Sequence, residues 1–215
     1  MLTLYTYFRS SAAYRVRIAL HLKGLPYTSV PVHLLRDGGE QHAPAYAQLN
    51  PAELVPTLVD GELALGQSLA IMDYLEEQHP TPALLPGDAP GRARVRALAQ
   101  SIACDIHPLN NLRVLQYLKN ELKQDDATRQ QWSQHWITLG FTALEAQLQR
   151  SPATGRFCHG DTPTLADCCL IPQLFNARRI DTPLDAYPTL VRIESACLAL
   201  DAFQRAAPQA QADAA

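Results

Sequence analysis

The 215-residue sequence lacks the common motifs of nucleotide, metal and hydrolase chemistry. It contains no GxGxxG or P-loop phosphate-binding segment, no HExxH zinc helix and no GxSxG nucleophile turn. No group of histidines, cysteines or carboxylates has metal-ligand spacing, so we expect no bound metal. These absences argue against a dinucleotide-binding enzyme, a P-loop enzyme, a zincin and a serine hydrolase.

Long apolar runs and a strong charge surplus are also missing. No run approaches the roughly 20 apolar residues that a helix needs to cross a bilayer. The first residues lack the charged and apolar regions of a secretory signal. The net charge of −3 argues against a generic nucleic-acid binder. The five cysteines have no CxxC spacing, so we expect reduced, mostly buried thiols in a cytoplasmic protein.

The first third of the chain alternates strand and helix signals. Residues 2–7 and 27–34 are rich in β-branched and aromatic residues and predict strands on either side of a helix at 11–23. Two such strands are expected to be parallel. Residues 56–65 contain Asp60-Gly61 between apolar runs and predict a hairpin, followed by a helix at 67–80. The pattern predicts an α/β domain over residues 1–81.

The rest of the chain has almost no strand signal. Residues 82–90 are rich in proline and glycine and predict a linker. An all-α domain is expected over 91–208, with a break at Pro108 and a helix-starting box at Thr164 and Asp167. A disordered tail is expected at 209–215. The helices are predicted at 92–118, 128–149, 164–179 and 188–203.

Two serines and three arginines gather where the first strand meets the first helix. Serine is a preferred helix cap, and a cap alone stabilises a helix by about 1 kcal/mol, which favours Ser11 as the N-cap. Capping does not explain Ser10 or the flanking Arg9 and Arg15. The second interpretation is an anion or thiolate site, because a first helical turn offers free N–H groups and a positive dipole end. Arg17 is expected to be structural.

Four further features allow both a structural and a functional interpretation. Pro56 can simply protect a sheet edge, or it can be a cis proline beside a ligand; the sequence does not distinguish the isomers. Ser68 can cap its helix, or it can mark a second anion-ready helix start. His107 can be a structural histidine of its helix, as lone histidines usually are, but its neighbours Asn111 and Arg113 favour a solvated cleft rather than a core. Arg178 can complement a helix dipole or bind an acidic substrate.

The segment RSSAAYRVRIAL, residues 9–20, resembles the signature of zeta-class glutathione transferases. The resemblance covers nearly the whole chain. Its most specific parts are the serine segment and Gln67-Ser68, whereas the Pro56 and Thr164 motifs occur across glutathione transferases. The other matching segments are 36–39, 49–51, 55–58, 69–71, 81–82 and 161–167.

This resemblance implies a thioredoxin-like first domain, an all-helical second domain, glutathione in the cleft between them, and a homodimer. It implies that Ser10 faces the glutathione sulfur. It also implies catalytic roles for Ser10, Arg9, His107 and Arg113, and substrate contacts for Arg9, Arg113 and Arg178. The residues that it implies for glutathione binding are Ser10, Ser11, Ala12, Tyr14, Arg15, Gln41, Val55, Pro56, Gln67, Ser68, His107, Asn111 and Arg113.

The implied activity is glutathione-dependent cis–trans isomerisation of maleylacetoacetate to fumarylacetoacetate, in tyrosine and phenylalanine catabolism. Many members have a cysteine and a tryptophan where this chain has Ala12 and Tyr14, so the reacting sulfur must come from glutathione. His107 and Arg113 resemble relatives that act on maleylpyruvate in gentisate degradation, which keeps that substrate open. Two more functions fit the same fold: a transferase acting on α-halo acids and a non-catalytic binding protein.

Overall fold

The computed structural model describes residues 1–214 and divides the chain into two compact units. One unit combines Met1–Leu84 with Leu198–Ala215, and the other is Leu85–Cys197. The structure thus groups the C-terminal segment with the first unit, whereas the sequence-based boundaries assign residues up to 208 to the second domain.

A four-stranded mixed sheet forms the centre of the first unit. Its strands are β1 (Leu2–Thr6), β2 (Tyr27–Pro31), β3 (Thr57–Asp60) and β4 (Leu63–Leu65), in the order β2-β1-β3-β4. β1 is parallel to β2, with Leu4 opposite Ser29, and antiparallel to β3, with Leu4 opposite Leu58. β3 and β4 form a hairpin across Asp60-Gly61. The predicted parallel pair and the predicted hairpin are both confirmed.

Three helices of the first unit lie between or after these strands. They are α1 (Ser11–Leu22), α2 (Pro44–Leu49) and α3 (Ser68–Gln78). α1 is packed against α3, and apolar side chains such as Val16, Leu20 and Ile71 are fully buried in this unit. The segment before α2 contains two 3-10 turns, Arg36–Gly38 and Glu40–His42. The sequence does not predict α2, because six residues are too few to show helical periodicity.

The described residues of the second unit form helices joined by loops, with no strand among them. Its elements begin with α4 (Ala89–Gln100), a π-helical segment (Ser101–Ile106) and a 3-10 turn (His107–Asn110), so the predicted break at Pro108 is confirmed. The predicted capping box is also present, with Asp167 accepting from the Thr164 backbone N–H. The remaining helices are α5 (Leu112–Asn120), α6 (Asp126–Arg150), α7 (Leu165–Arg179) and α8 (Pro188–Leu198).

The single helix predicted at 188–203 is wrong, because the chain turns after α8 and starts a new helix, α9 (Asp201–Ala206). A 3-10 turn, Pro208–Ala210, follows α9. α9 packs against α1 in the first unit. Across residues 1–214, none of the helices has both the length and the hydropathy to cross a membrane.

Candidate functional site

Ser10, not Ser11, is the N-cap of α1. Its backbone is extended, with φ −68° and ψ 115°, and its Oγ accepts a hydrogen bond from the Ala13 backbone N–H at 3.2 Å. Ser11 is the first helical residue and is buried. The expectation that Ser11 caps the helix is therefore wrong by one residue, since helical dihedral angles begin at Ser11.

The capping bond leaves the Ser10 hydroxyl able to act on a ligand. A serine hydroxyl has one O–H donor and two acceptor lone pairs, and the bond from Ala13 uses one lone pair. Its O–H can therefore donate to an anion at the start of α1, where free N–H groups and the helix dipole also favour negative charge. Capping and anion binding are thus compatible at Ser10.

A buried arginine links the starts of α1 and α3. Arg15 is 2% exposed, and its guanidinium donates to the Ser68 Oγ at 3.1 Å. Ser68 is the first residue of α3 rather than its N-cap, so the capping interpretation of Ser68 is wrong. The cap position is held by Gln67, which is exposed, has a φ of 64° and makes no side-chain capping bond. The structure thus brings Arg15 and Ser68 together at a second positively polarised helix start.

Arg17 stabilises the turn between β1 and α1 through buried hydrogen bonds. Its side chain is fully buried and donates to the Thr6 Oγ1 at 2.9 Å and to the Phe8 carbonyl at 3.0 Å. A third bond, to the Ala206 carbonyl at 3.0 Å, connects the turn to α9. Burial lowers the pKa of Arg17 to about 10, which still leaves it charged at neutral pH. The expected structural role of Arg17 is confirmed.

Two further predicted site residues near this turn, Arg9 and Tyr14, have side chains that point in different directions. Arg9 is exposed, with its guanidinium carbon 4.9 Å from the centre of the Phe8 ring. Tyr14 is buried, and its hydroxyl lies 3.5 Å from the Phe203 carbonyl oxygen. Arg9 is thus accessible to a solvent-borne ligand, whereas the Tyr14 side chain packs towards the C-terminal segment of the same unit.

The Val55–Pro56 peptide bond is cis, which answers a question that the sequence left open. Leu54, the residue before Val55, is fixed by hydrogen bonds. Its carbonyl accepts from the Tyr46 hydroxyl at 2.6 Å and from the Asn50 Nδ2 at 2.8 Å. Val55 and Pro56 themselves are buried. The backbone at Val55 therefore has a defined position at the start of β3.

Gln41 is a predicted site residue of the first unit whose buried side chain has an unsatisfied polar atom. It is 5% exposed, and its Oε1 has no hydrogen-bond partner within the described residues. Buried polar atoms are normally hydrogen-bonded, so an orphaned amide oxygen is suited to a ligand N–H. With the Ser10 hydroxyl and two helix starts, this set fits a peptide-like anion carrying a thiol, which is the chemistry of glutathione.

In the second unit, His107, Asn111 and Arg113 lie along one short stretch. The Asn111 Nδ2 is 3.5 Å from the His107 Nε2, and the Asn111 Oδ1 caps α5 by accepting from the Arg113 backbone N–H. The Arg113 side chain is exposed. The structure confirms that these three residues are neighbours within this unit.

Arg178, at the end of α7, is engaged in an ion pair that the sequence did not indicate. It donates to both carboxylate oxygens of Glu194, at 3.1 and 2.5 Å, and this bonding raises the pKa of Arg178. Glu194 lies 16 residues further along the chain, in α8, so no local pattern could reveal it. A substrate carboxylate at Arg178 has to compete with Glu194. Arg179 instead donates to the Asn176 Oδ1 at 2.8 Å.

The first unit, with its β2-β1-β3-β4 sheet, capped α1 and cis proline before β3, is a thioredoxin-like domain. Two family models match the chain: "Glutathione S-transferase, N-terminal domain" over residues 4–83 and "Glutathione S-transferase, C-terminal domain" over residues 137–195. The chain belongs to the glutathione S-transferase family.

Individual relatives match over their full length. A protein of Vibrio cholerae named probable maleylacetoacetate isomerase is 52% identical over 213 residues, which is 99% of this chain and 98% of that protein. A structure described as a maleylpyruvate isomerase, a bacterial zeta-class glutathione S-transferase, is 52% identical, with a TM-score of 0.96 over 99% of this chain and 100% of that one.

A third relative was solved with a ligand. The maleylacetoacetate isomerase of Anaeromyxobacter dehalogenans, described with dicarboxyethyl glutathione and citrate in its active site, is 44% identical. Its TM-score is 0.87, and the match covers 100% of this chain and 98% of that one.

Proposed function

We propose that this protein is a glutathione-dependent cis–trans isomerase that converts maleylacetoacetate to fumarylacetoacetate. The observation that carries the proposal is the Ser10-capped start of α1, where a hydroxyl remains able to donate to a thiolate. The full-length relatives named as isomerases, one of them holding a dicarboxyethyl conjugate of glutathione, support the same reaction class.

A conjugated double bond resists rotation, and bound glutathione supplies the thiolate whose reversible addition allows rotation. The task of the protein is to keep that sulfur ionised and oriented. A free thiol with a pKa near 8.5 is only a few per cent ionised at pH 7, so each donor to the thiolate matters. The Ser10 O–H and the first turn of α1, formed by Ser11 and Ala12, provide such donors.

The remaining glutathione contacts are assigned to the first unit by their chemistry. The α3 start at Gln67 and Ser68 would take the γ-glutamyl carboxylate, with Arg15 adding positive charge through its bond to Ser68. The backbone at Val55, before the cis bond to Pro56, would pair with the cysteinyl backbone, and Gln41 would accept from a ligand N–H. Tyr14 would act by packing behind the α1 turn.

Positive charge would serve the dicarboxylate substrate. Arg9 and Arg113 are exposed and can bind carboxylates, as well as stabilise negative charge developing on a substrate carbonyl. His107 and Asn111 offer further donors. Arg178 is the weaker candidate, since Glu194 already occupies its guanidinium.

Maleylpyruvate is the second candidate substrate. A relative named for that substrate and one named for maleylacetoacetate share the same 52% identity with this chain, so overall similarity does not separate them. Incubating purified protein with each cis diacid, with and without glutathione, and following the ultraviolet absorbance measures the preference directly. No glutathione-dependent change with either diacid would refute the isomerase proposal.

We also propose that the protein is a homodimer and acts in the cytoplasm. Sedimentation equilibrium of the purified protein tests the dimer.

The role of Ser10 can be separated from capping by choice of substitution. Glycine caps helices nearly as well as serine but has no hydroxyl, whereas threonine keeps the hydroxyl. We expect Ser10→Gly to lose about 100-fold in kcat, the size typical of a lost oxyanion-type donor, and Ser10→Thr to keep most activity. Asp125→Ala, which removes the side-chain cap of α6, is the control: it should lower the melting temperature and leave turnover unchanged. Turnover of Ser10→Gly within a few fold of wild type would assign Ser10 to capping alone.

A further inference from the structure

The Gln41 amide is held in a tight setting within the 3-10 turn Glu40–His42. The side chain lies against Gly39, where an added Cβ would be only 2.4 Å from the Gln41 Nε2. Gly39 also has a φ of 111°, which side-chain-bearing residues rarely adopt. The amide is therefore confined to a narrow space. It can still adopt two orientations, with either its oxygen or its nitrogen facing outward.

His42 decides between these two orientations. The Gln41 Nε2 is 2.9 Å from the His42 Nε2. An amide nitrogen only donates, so the His42 Nε2 must accept and cannot carry a proton. The proton of neutral His42 then resides on Nδ1, which lies 2.6 Å from the Glu53 Oε2. Glu53, through this bond, selects the tautomer that leaves the Gln41 oxygen free.

Protonation of His42 would reverse the arrangement. A charged imidazole carries a proton on both nitrogens, so its Nε2 can only donate. The Gln41 amide must then turn its oxygen towards His42 to keep the bond, which presents its NH₂ group to the ligand. An outward oxygen can accept a hydrogen bond from a peptide N–H of the ligand. An outward NH₂ group is itself a donor, so it cannot form that bond.

We propose that His42 is a positioning residue that sets the polarity of the Gln41 amide towards glutathione: acceptor when His42 is neutral, donor when it is protonated. The inference rests on the proposed function, because it requires a glutathione-like peptide at Gln41. It makes the glutathione affinity depend on pH, independently of the ionisation of the thiol.

Other titratable groups of the same segment have their own partners. Glu40 accepts from the His33 backbone N–H at 2.7 Å and from the Arg36 guanidinium at 3.3 Å. His33 uses its Nδ1 to accept from the backbone N–H groups of Leu35 and Arg36, at 3.2 and 2.8 Å. Protonating His33 would break those two bonds, so His33 is a second source of pH dependence that an experiment must separate from His42.

S-methylglutathione is the suitable probe, because it keeps the peptide and lacks an ionisable thiol. Calorimetric titration of the full-length protein between pH 8 and pH 5.5 should show its Kd rising by about fivefold to tenfold, the effect of replacing one good hydrogen bond by a mismatch. His42→Phe, which cannot charge, should bind with nearly the same Kd at both pH values. His33→Phe should retain most of the wild-type dependence.

Two controls make the outcome unambiguous. His135→Phe changes an exposed histidine on α6 and should leave the wild-type pH dependence intact. The ¹⁵N shifts of His42 at pH 8 should show the proton on Nδ1. An equal pH dependence in wild type and His42→Phe, or a proton on Nε2, would overturn the role of His42 while leaving the proposed function standing. Failure of S-methylglutathione to bind at any pH would overturn both.

Discussion

The carboxylate of Asp213 accepts a hydrogen bond from the backbone N–H of Phe8 at 3.0 Å, across 205 positions of sequence. Phe8 is two residues before Ser10, and its carbonyl already accepts from buried Arg17. The same Arg17 binds the Ala206 carbonyl, so both polar groups of the Phe8 backbone are tied to the C-terminal segment or to a side chain that contacts it. The C-terminal segment is thus part of the support for the Ser10 turn.

Removing this carboxylate should disturb the turn more than its surface position suggests. Asp213→Ala leaves the part-buried Phe8 N–H without its acceptor, which typically costs about 1–3 kcal/mol. We expect a lower melting temperature and a several-fold loss of kcat with glutathione, because Ser10 is then held less firmly. Asp213→Asn keeps an acceptor oxygen and should lie between wild type and alanine in both measurements.

Asp201→Ala is the matched control for this prediction. Asp201 is also a carboxylate of the C-terminal segment, but its contact with Arg205 at 3.6 Å is exposed and such pairs contribute about 0–1 kcal/mol. It should leave both melting temperature and turnover close to wild type. If Asp213→Ala behaves like Asp201→Ala, the Phe8 contact has no role in supporting Ser10.

The C-terminal tail shows which features of the fold could not be predicted from the sequence. Periodicity and turn residues correctly predict β1, α1 and the β3–β4 hairpin, because those signals are local. The position of Asp213 depends on a partner 205 residues away, and its small, polar surroundings predict only disorder. Long-range partners of single side chains leave no periodic trace.

A buried ion pair fixes the junction between α1, α3 and the segment that follows. The Lys23 Nζ lies 2.7 Å from the Glu76 Oε2, with side-chain exposures of 0% and 7%. Lys23 also donates to the His79 and Pro82 carbonyls, and Glu76 accepts from the Leu84 N–H. Breaking a pair of this kind by removing one partner typically costs about 3–5 kcal/mol.

Lys23→Met should therefore destabilise the protein by about that amount, measured by urea unfolding at pH 7.5. The double variant Lys23→Met with Glu76→Leu should recover part of the loss, because it no longer leaves a buried carboxylate without its cation. Arg205→Ala, which breaks an exposed pair, is the control and should cost less than about 1 kcal/mol. Equal losses in the single and double variants would mean that the charge pairing is not the source of the effect.

The pH dependence of stability should contain a contribution from His21. Burial, followed by nearby Arg205, lowers the pKa of His21 below its ordinary value. On acidification the unfolded chain therefore takes up the proton first, and protonation favours unfolding. Stability is lost as the pH falls from the ordinary range of histidine through the lower value of the folded state.

Substituting His21 should flatten this dependence. His21→Gln keeps a polar group near the Tyr27 hydroxyl, which lies 3.5 Å from the His21 Nε2, but it cannot be charged. We expect its urea midpoint to fall less between pH 7.5 and pH 5.5 than that of wild type. His135→Gln, at an exposed site, should follow wild type. A parallel decline of His21→Gln and wild type would contradict the prediction.

The candidate site is predicted best where residue type alone defines the chemistry. The sequence singles out Ser10, Ser68 and Arg15, and the structure joins two of them by a hydrogen bond. The serine that caps α1 is missed by one position, because Ser10 and Ser11 are chemically identical and only the backbone dihedral angles distinguish them. The Arg178–Glu194 pair is missed because it joins two helices that lie apart in the sequence.

The cysteines provide a last prediction, about accessibility in the native state. Only Cys104 among the five is exposed, whereas Cys158, Cys168, Cys169 and Cys197 are buried. Burial raises the pKa of the Cys158 and Cys197 thiols, so they are both inaccessible and protonated at neutral pH. Since the thiolate is the reactive form, brief treatment of the native protein with iodoacetamide at pH 7.5 should label Cys104 alone. Labelling in urea should modify all five, and Cys104→Ser should abolish the native signal. Rapid labelling of Cys158 or Cys197 in the native protein would show that the second unit opens on the timescale of the reaction, contrary to the tight packing around α7.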